Sequence, residues 1–145
     1  MRILLVEDEI LIAMEQRFYL EAIGDDVFGP AATTTEAVEM ALAIKPDLAL
    51  VDIHLAQGNS GLDVADSLGA LGIPSLFITS FREEVKPGRS FTIGCLPKPF
   101  TERSLLGAVE VARAVLSGRP PGRVPETMEL FEPPPLSRAG VPPSV

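Results

Sequence analysis

Ile3-Leu4-Leu5-Val6-Glu7-Asp8-Glu9 runs from four apolar residues straight into three acids. A short, unbroken apolar run suits a strand buried on both faces, and the acids then lie at its carboxyl end. Leu11, Met14, Phe18 and Ala22 follow at helical spacing, and Gly24 is placed as a C-cap. Those residues are the expected inward face of a first helix. Further out, residues 26–29 read as a weak second strand. Thr33 and Glu36 have the spacing of a capping box. The helix they open turns Val38, Ala41 and Leu42 inward and stops before Pro46. Residues 48–51 form a third buried strand, and Leu62, Ala65, Leu68 and Leu71 mark the next helix. Residues 75–79 and 93–96 are the fourth and fifth strands. Thr101 caps a last helix with Leu105, Val109, Ala112 and Leu116 on one face.

Strands alternating with helices imply a parallel sheet covered on both sides, here a doubly wound (βα)5 arrangement. One unit is irregular. Pro87 and Gly88 are poor helix residues, so the fourth helix is short and confined to about residues 82–85. From Gly118 the composition shifts. Pro120, Pro121, Pro125, Pro133, Pro134, Pro135, Pro142 and Pro143 predict a tail with no regular element, extended or flexible. Met128, Leu130 and Phe131 are its apolar cluster and its expected docking point. The predicted division is therefore a domain over residues 1–117 and a tail over 118–145.

A chain of 145 residues with net charge −8 carries one core and argues against a basic nucleic-acid surface. The single cysteine, Cys95, excludes an intrachain disulfide and reads as a small buried residue. The opening residues lack the apolar core of a signal peptide, and no apolar run has membrane-spanning length. The expectation is a cytoplasmic protein.

Glu7, Asp8 and Glu9 follow the first strand, Asp52 the third and Lys98 the fifth, and Thr79 ends the fourth. In an open parallel sheet these positions gather at the carboxyl edge, where ligands bind. Clustered carboxylates repel one another, and a hard cation such as Mg²⁺ relieves that repulsion. A hydroxyl and an ammonium beside Asp52 would cradle an anion. Together they point to phosphoryl transfer onto the carboxylate, a reaction that depends on positioning and charge neutralisation. Glu9 itself reads as a helix-start residue. His54, the only histidine, lies two positions beyond Asp52 and is expected to line the mouth of the site.

Residues 3–9, 46–52, Ile78-Thr79-Ser80 and Lys98-Pro99-Phe100, in this order and spacing, resemble the landmarks of bacterial two-component receiver domains. The resemblance covers residues 1 to about 117. It implies a flavodoxin-like fold and a signalling switch rather than an enzyme. Asp52 would be the phosphoacceptor, with a sensor histidine kinase or a histidine phosphotransfer protein as donor. It implies Mg²⁺ at Glu7, Asp8, Asp52 and the His54 carbonyl, with Thr79 and Lys98 on the phosphoryl group. It also implies a cis Lys98-Pro99 bond. The chain departs from the family pattern at Cys95, where many members carry an aromatic switch residue. The segment between Thr79 and Lys98 is shortened, with Phe81 and Phe91 supplying apolar bulk. Output would pass by protein contact. The expected surface is residues 81–96, the last helix and the tail, with a homodimer of exchanged arms as one arrangement. The alternative is a haloacid-dehalogenase-like phosphatase with Asp52 as nucleophile, but that family needs a second Asp where His54 stands. A flavodoxin-like cofactor site is disfavoured, because three acids would repel a phosphate.

Overall fold

The computed structural model describes residues 1–85 and 91–131. Strands β1 (Arg2–Val6), β2 (Asp26–Ala31), β3 (Leu48–Val51), β4 (Ser75–Thr79) and β5 (Thr92–Pro97) stand in the order β2-β1-β3-β4-β5. Every neighbouring pair is parallel. β3 and β4 are buried along their whole length, β3 as an unbroken apolar run and β4 with Ser75 and Thr79 flanking an apolar centre. Side chains of β1 alternate between two cores. Ile3 and Leu5 pack with Leu50, Leu76 and Ile78 under α1 (Ile10–Ala22) and α4 (Glu102–Leu116). Leu4 and Val6 pack with Val51 and Phe77 under α2 (Thr34–Ile44) and α3 (Gly61–Ala70).

The helices form where expected, but α1 turns a different face inward, and α2 and α3 differ from expectation at some positions. In α1 the buried residues are Ala13, Gln16 and Leu20, while Leu11, Met14 and Phe18 are exposed. The Arg17 guanidinium sets this rotation by donating to the carbonyls of Val27 and Gly29 at 2.8 and 2.7 Å. Small Ala13 also lets the helix approach the sheet closely, where a larger side chain would hold it off. In α2 the inward residues are Ala37 and Ala41, and Leu42 is exposed. Glu36 N–H donates to the Thr33 hydroxyl, while the Glu36 carboxylate accepts from Ala32 N–H rather than from Thr33. In α3 Val64 joins Ala65 and Leu68 inside, whereas Leu71 lies beyond the helix and exposed. Leu105, Val109 and Ala112 of α4 face the core as predicted, under a capping box of Thr101 and Ser104. Among the described residues between β4 and β5 there is one 3-10 turn, Arg82–Glu84. Pro87 and Gly88 lie outside the described residues.

The tail is the main correction. Glu129–Leu130 form a sixth strand, β6, antiparallel to the outer edge of β5. Proline has no N–H to give a ladder, but residues 126–132 contain none. That window supplies the donors. Phe131 N–H donates to the Ile93 carbonyl at 2.9 Å, and Met128 and Phe131 are buried. Burying two such side chains contributes about 2 kcal/mol each. Pro133, Pro134, Pro135, Pro142 and Pro143 lie outside the described residues. The sheet is thus six-stranded and mixed, its otherwise open β5 edge covered. No described helix is long and apolar enough to cross a membrane.

Candidate functional site

The strand order reverses direction between β1 and β3, and the loops that leave them diverge there. Asp52 N–H donates to the Val6 carbonyl at 3.0 Å, which carries the β1–β3 pairing one step past the strands. Glu7, the first residue after β1, is held by an N–H bond to the Ala31 carbonyl at 2.9 Å. Lys98 closes the site from β5, its own N–H bonded to the Thr79 carbonyl at 3.0 Å. The Lys98-Pro99 bond is cis, and so is Gly29-Pro30, which the sequence reading did not foresee.

These anchors bring Glu7, Asp8, Asp52 and Lys98 together. The Lys98 ammonium donates to Glu7 Oε1 at 2.7 Å and to Asp52 Oδ2 at 2.9 Å. Glu9, at the start of α1, is 3.5 Å from the same nitrogen. Asp52 Oδ1 accepts from Ile53 N–H at 2.7 Å. Glu7 and Asp52 are buried and Asp8 is exposed at the rim, with carboxylate oxygens of all three within 4.8 Å of one another. Burial, then the charge of Asp52, pushes the Glu7 carboxyl up to about 7, against the opposing pull of Lys98. Burial works against the Lys98 ammonium. Its hydrogen bonds to Glu7 and Asp52 outweigh that and raise its pKa. Three carboxylates against one ammonium leave an excess of negative charge on hard oxygen donors, which fits a small divalent cation.

Thr79 is fully buried at the end of β4, and its Oγ1 accepts from Phe81 N–H at 3.0 Å. His54 turns away from the acids. Its ring stacks on Phe81 with centroids 3.7 Å apart and planes at 7°, and Nε2 is 3.0 Å from Glu84 Oε1. The sequence reading missed this clamp, because Phe81 and Glu84 carry no motif of their own. It also missed Gly61. A Cβ there would overlap the Asp52 carbonyl oxygen, so the start of α3 packs directly against the Asp52 loop. Gly61 N–H donates to the Ile53 carbonyl at 2.6 Å. Cys95 is buried, and burial pushes its thiol up to about 11.

An open α/β sheet with an acid pocket and a paired lysine at its switch point defines a class of ligand-binding domains. Within that class, residues 3–110 match the response regulator receiver domain, and the chain belongs to that family. It is 42% identical over 113 residues to the phyllosphere-induced regulator PhyR of Methylorubrum extorquens, covering 76% of this chain and 42% of PhyR. The chain spans about half the length of the curated relatives it matches. The N-terminal domain of a response regulator/sensory box/GGDEF protein from Carboxydothermus hydrogenoformans superposes with TM-score 0.72. It is 29% identical, over 81% of this chain and 98% of that one. The PhyR receiver domain of Erythrobacter litoralis gives TM-score 0.66 and 32% identity over 86% and 95%. Membership places the protein in phosphorylation-dependent signalling and lends no support to a phosphatase.

Proposed function

We propose that Asp52 is the phosphoacceptor of a two-component switch and that its donor is a phosphohistidine on a sensor kinase or phosphotransfer protein. The supporting observation is the Lys98 ammonium shared between Asp52 and Glu7, 2.9 and 2.7 Å away. In the transfer, a carboxylate oxygen of Asp52 forms a bond to phosphorus as the phosphorus–nitrogen bond to the donor histidine breaks. Lys98 releases Glu7 and pairs with a phosphoryl oxygen, and the Thr79 hydroxyl donates to another. Glu7, Asp8, Asp52 and the His54 carbonyl would hold Mg²⁺, which supplies charge neutralisation for the phosphoryl oxygens. The activity is that of a switch acting in the cytoplasm, not of an enzyme turning over a substrate. Residues 1–117 would form the receiver unit, with residues 118–131 wrapped onto it. No observation favours the phosphatase reading, since His54 occupies the position of its second aspartate.

Asp52→Ala should abolish phosphoryl transfer from the partner kinase and leave the fold intact. Radiolabel transfer, with circular dichroism as the folding control, reads both. Label retained on the folded variant near the wild-type level would remove the assignment.

A further inference from the structure

We infer that the segment ending in Met128–Phe131 is a reversible strap on the β5 edge, and that the turn Arg82–Glu84 couples its release to the chemistry at Asp52. The coupling rests on the phosphoacceptor reading above. The strap is held by a minimal set of contacts. Its ladder has two register pairs, Gly94 with Leu130 and Cys95 with Glu129. The Phe131 N–H bond to Ile93 extends it by one step. Met128 and Phe131 are the buried anchors, on opposite sides of the sheet: Met128 packs in the α1/α4 core and Phe131 in the α2/α3 core beside Cys95. The Arg82–Glu129 ion pair, at 3.2 Å, is half-exposed and adds little by itself. β5 is shaped for this occupant. Any Cβ at Gly94 would overlap the Glu129 carbonyl oxygen.

The same turn reaches the acid pocket. His54, on the Asp52 loop, stacks on Phe81 and pairs with Glu84. Phe81 N–H is bonded to the Thr79 hydroxyl. Arg82, between them, holds the strap. Phe81, Val85, Cys95 and Phe131 share one apolar cluster. A phosphoryl group on Asp52 that draws in Thr79 therefore pulls on Phe81. Phe81 cannot shift without moving the turn that grips Glu129. A two-strand ladder of this length opens locally at far smaller cost than the central sheet. Release would uncover the β5 edge as a strand-acceptor surface and so open an output route.

Cys95 is the only cysteine, is buried, pairs in register with Glu129 of the strap and shares an apolar cluster with Phe131, so its labelling by iodoacetamide reports the strap in the full chain. Phe131→Ala should speed labelling by about tenfold or more without any phosphoryl analogue. A rate within about twofold of wild type would overturn the strap as a reversible cover. With Mg²⁺ and beryllofluoride, wild-type labelling should rise several-fold. Glu129→Ala, which removes the acceptor for Arg82 but keeps both anchors, should lose that rise. Fluorine NMR reads analogue binding separately. Bound beryllofluoride with unchanged or slower labelling overturns the coupling and leaves the phosphoacceptor reading standing. No bound analogue overturns that reading and the coupling with it, and the Phe131→Ala rate still decides the strap.

Discussion

Glu7 sits where a strand delivers it, in a pocket with too little water to keep its charge cheaply. Its carboxyl is raised from 4.5 to about 7, first by burial and then by Asp52. Below that pH it holds a proton, which a cation bound there as proposed would displace. Mg²⁺ affinity should therefore fall by up to tenfold per unit as pH drops below about 7, and level off above it. Glu7→Gln should remove the slope, as read by titration calorimetry at several pH values. A flat wild-type profile between pH about 6 and 8 would count against Glu7 as a ligand. In the metal-free chain the same shift has the opposite sign for stability. A carboxyl with a raised folded pKa loses stability as pH rises from 4.5 to about 7. The acids were legible from their position after a buried strand. The His54–Phe81–Glu84 clamp was not, because it joins residues 30 apart in sequence with no periodicity to reveal them.

At the scale of elements, α1 presents Ile10, Leu11, Met14 and Phe18 to solvent, with Leu11 81% and Phe18 72% exposed. This stripe begins directly after the acid loop, beside the pocket mouth. On the proposed function, a contiguous apolar face at that place suits a protein phosphodonor that would bring its histidine to Asp52. Leu11→Ser with Phe18→Ser should slow transfer from the kinase by about tenfold or more. Transfer from acetyl phosphate, which needs no docking surface, should be unchanged. Unfolding midpoints should shift little, since neither side chain is in the core. Equal losses with both donors would instead indicate a damaged pocket. Helical spacing exposed this stripe in the sequence but assigned it inward. The face that meets the sheet instead carries Ala13, Gln16 and Leu20, and the Arg17 bonds to β2 together with small Ala13 favour it.

For the whole molecule, Asp25 ties the far end together. Its carboxylate accepts from Arg113 of α4 at 3.1 Å through both oxygens, and from the Met1 amino group at 2.8 Å. Burial would raise its pKa, but those hydrogen bonds outweigh it and hold the carboxyl below the ordinary value. A depressed carboxyl contributes stability above its unfolded pKa and loses it as pH falls through the folded one. Asp25→Ala should cost about 2 kcal/mol at neutral pH, and the difference from wild type should shrink below pH about 4. Urea unfolding across that range measures it, and a constant difference would contradict the linkage. The expected homodimer of exchanged arms is not needed to bury the tail's anchors, since Met128 and Phe131 already sit against their own chain.

The order of strands and helices, the pocket acids, Lys98 and the short turn that follows β4 were determined by local pattern alone. Apolar runs, caps and strand-end charges act within a few residues and need no partner to be read. Helix rotation and the docking of β6 were decided only by the tertiary structure. Each depends on a group distant in the chain: the β2 carbonyls that capture Arg17, and the bare Gly94 backbone that admits Glu129. A proline-rich composition conceals a strand whose few N–H donors become useful only when an unpaired β5 edge stands opposite them.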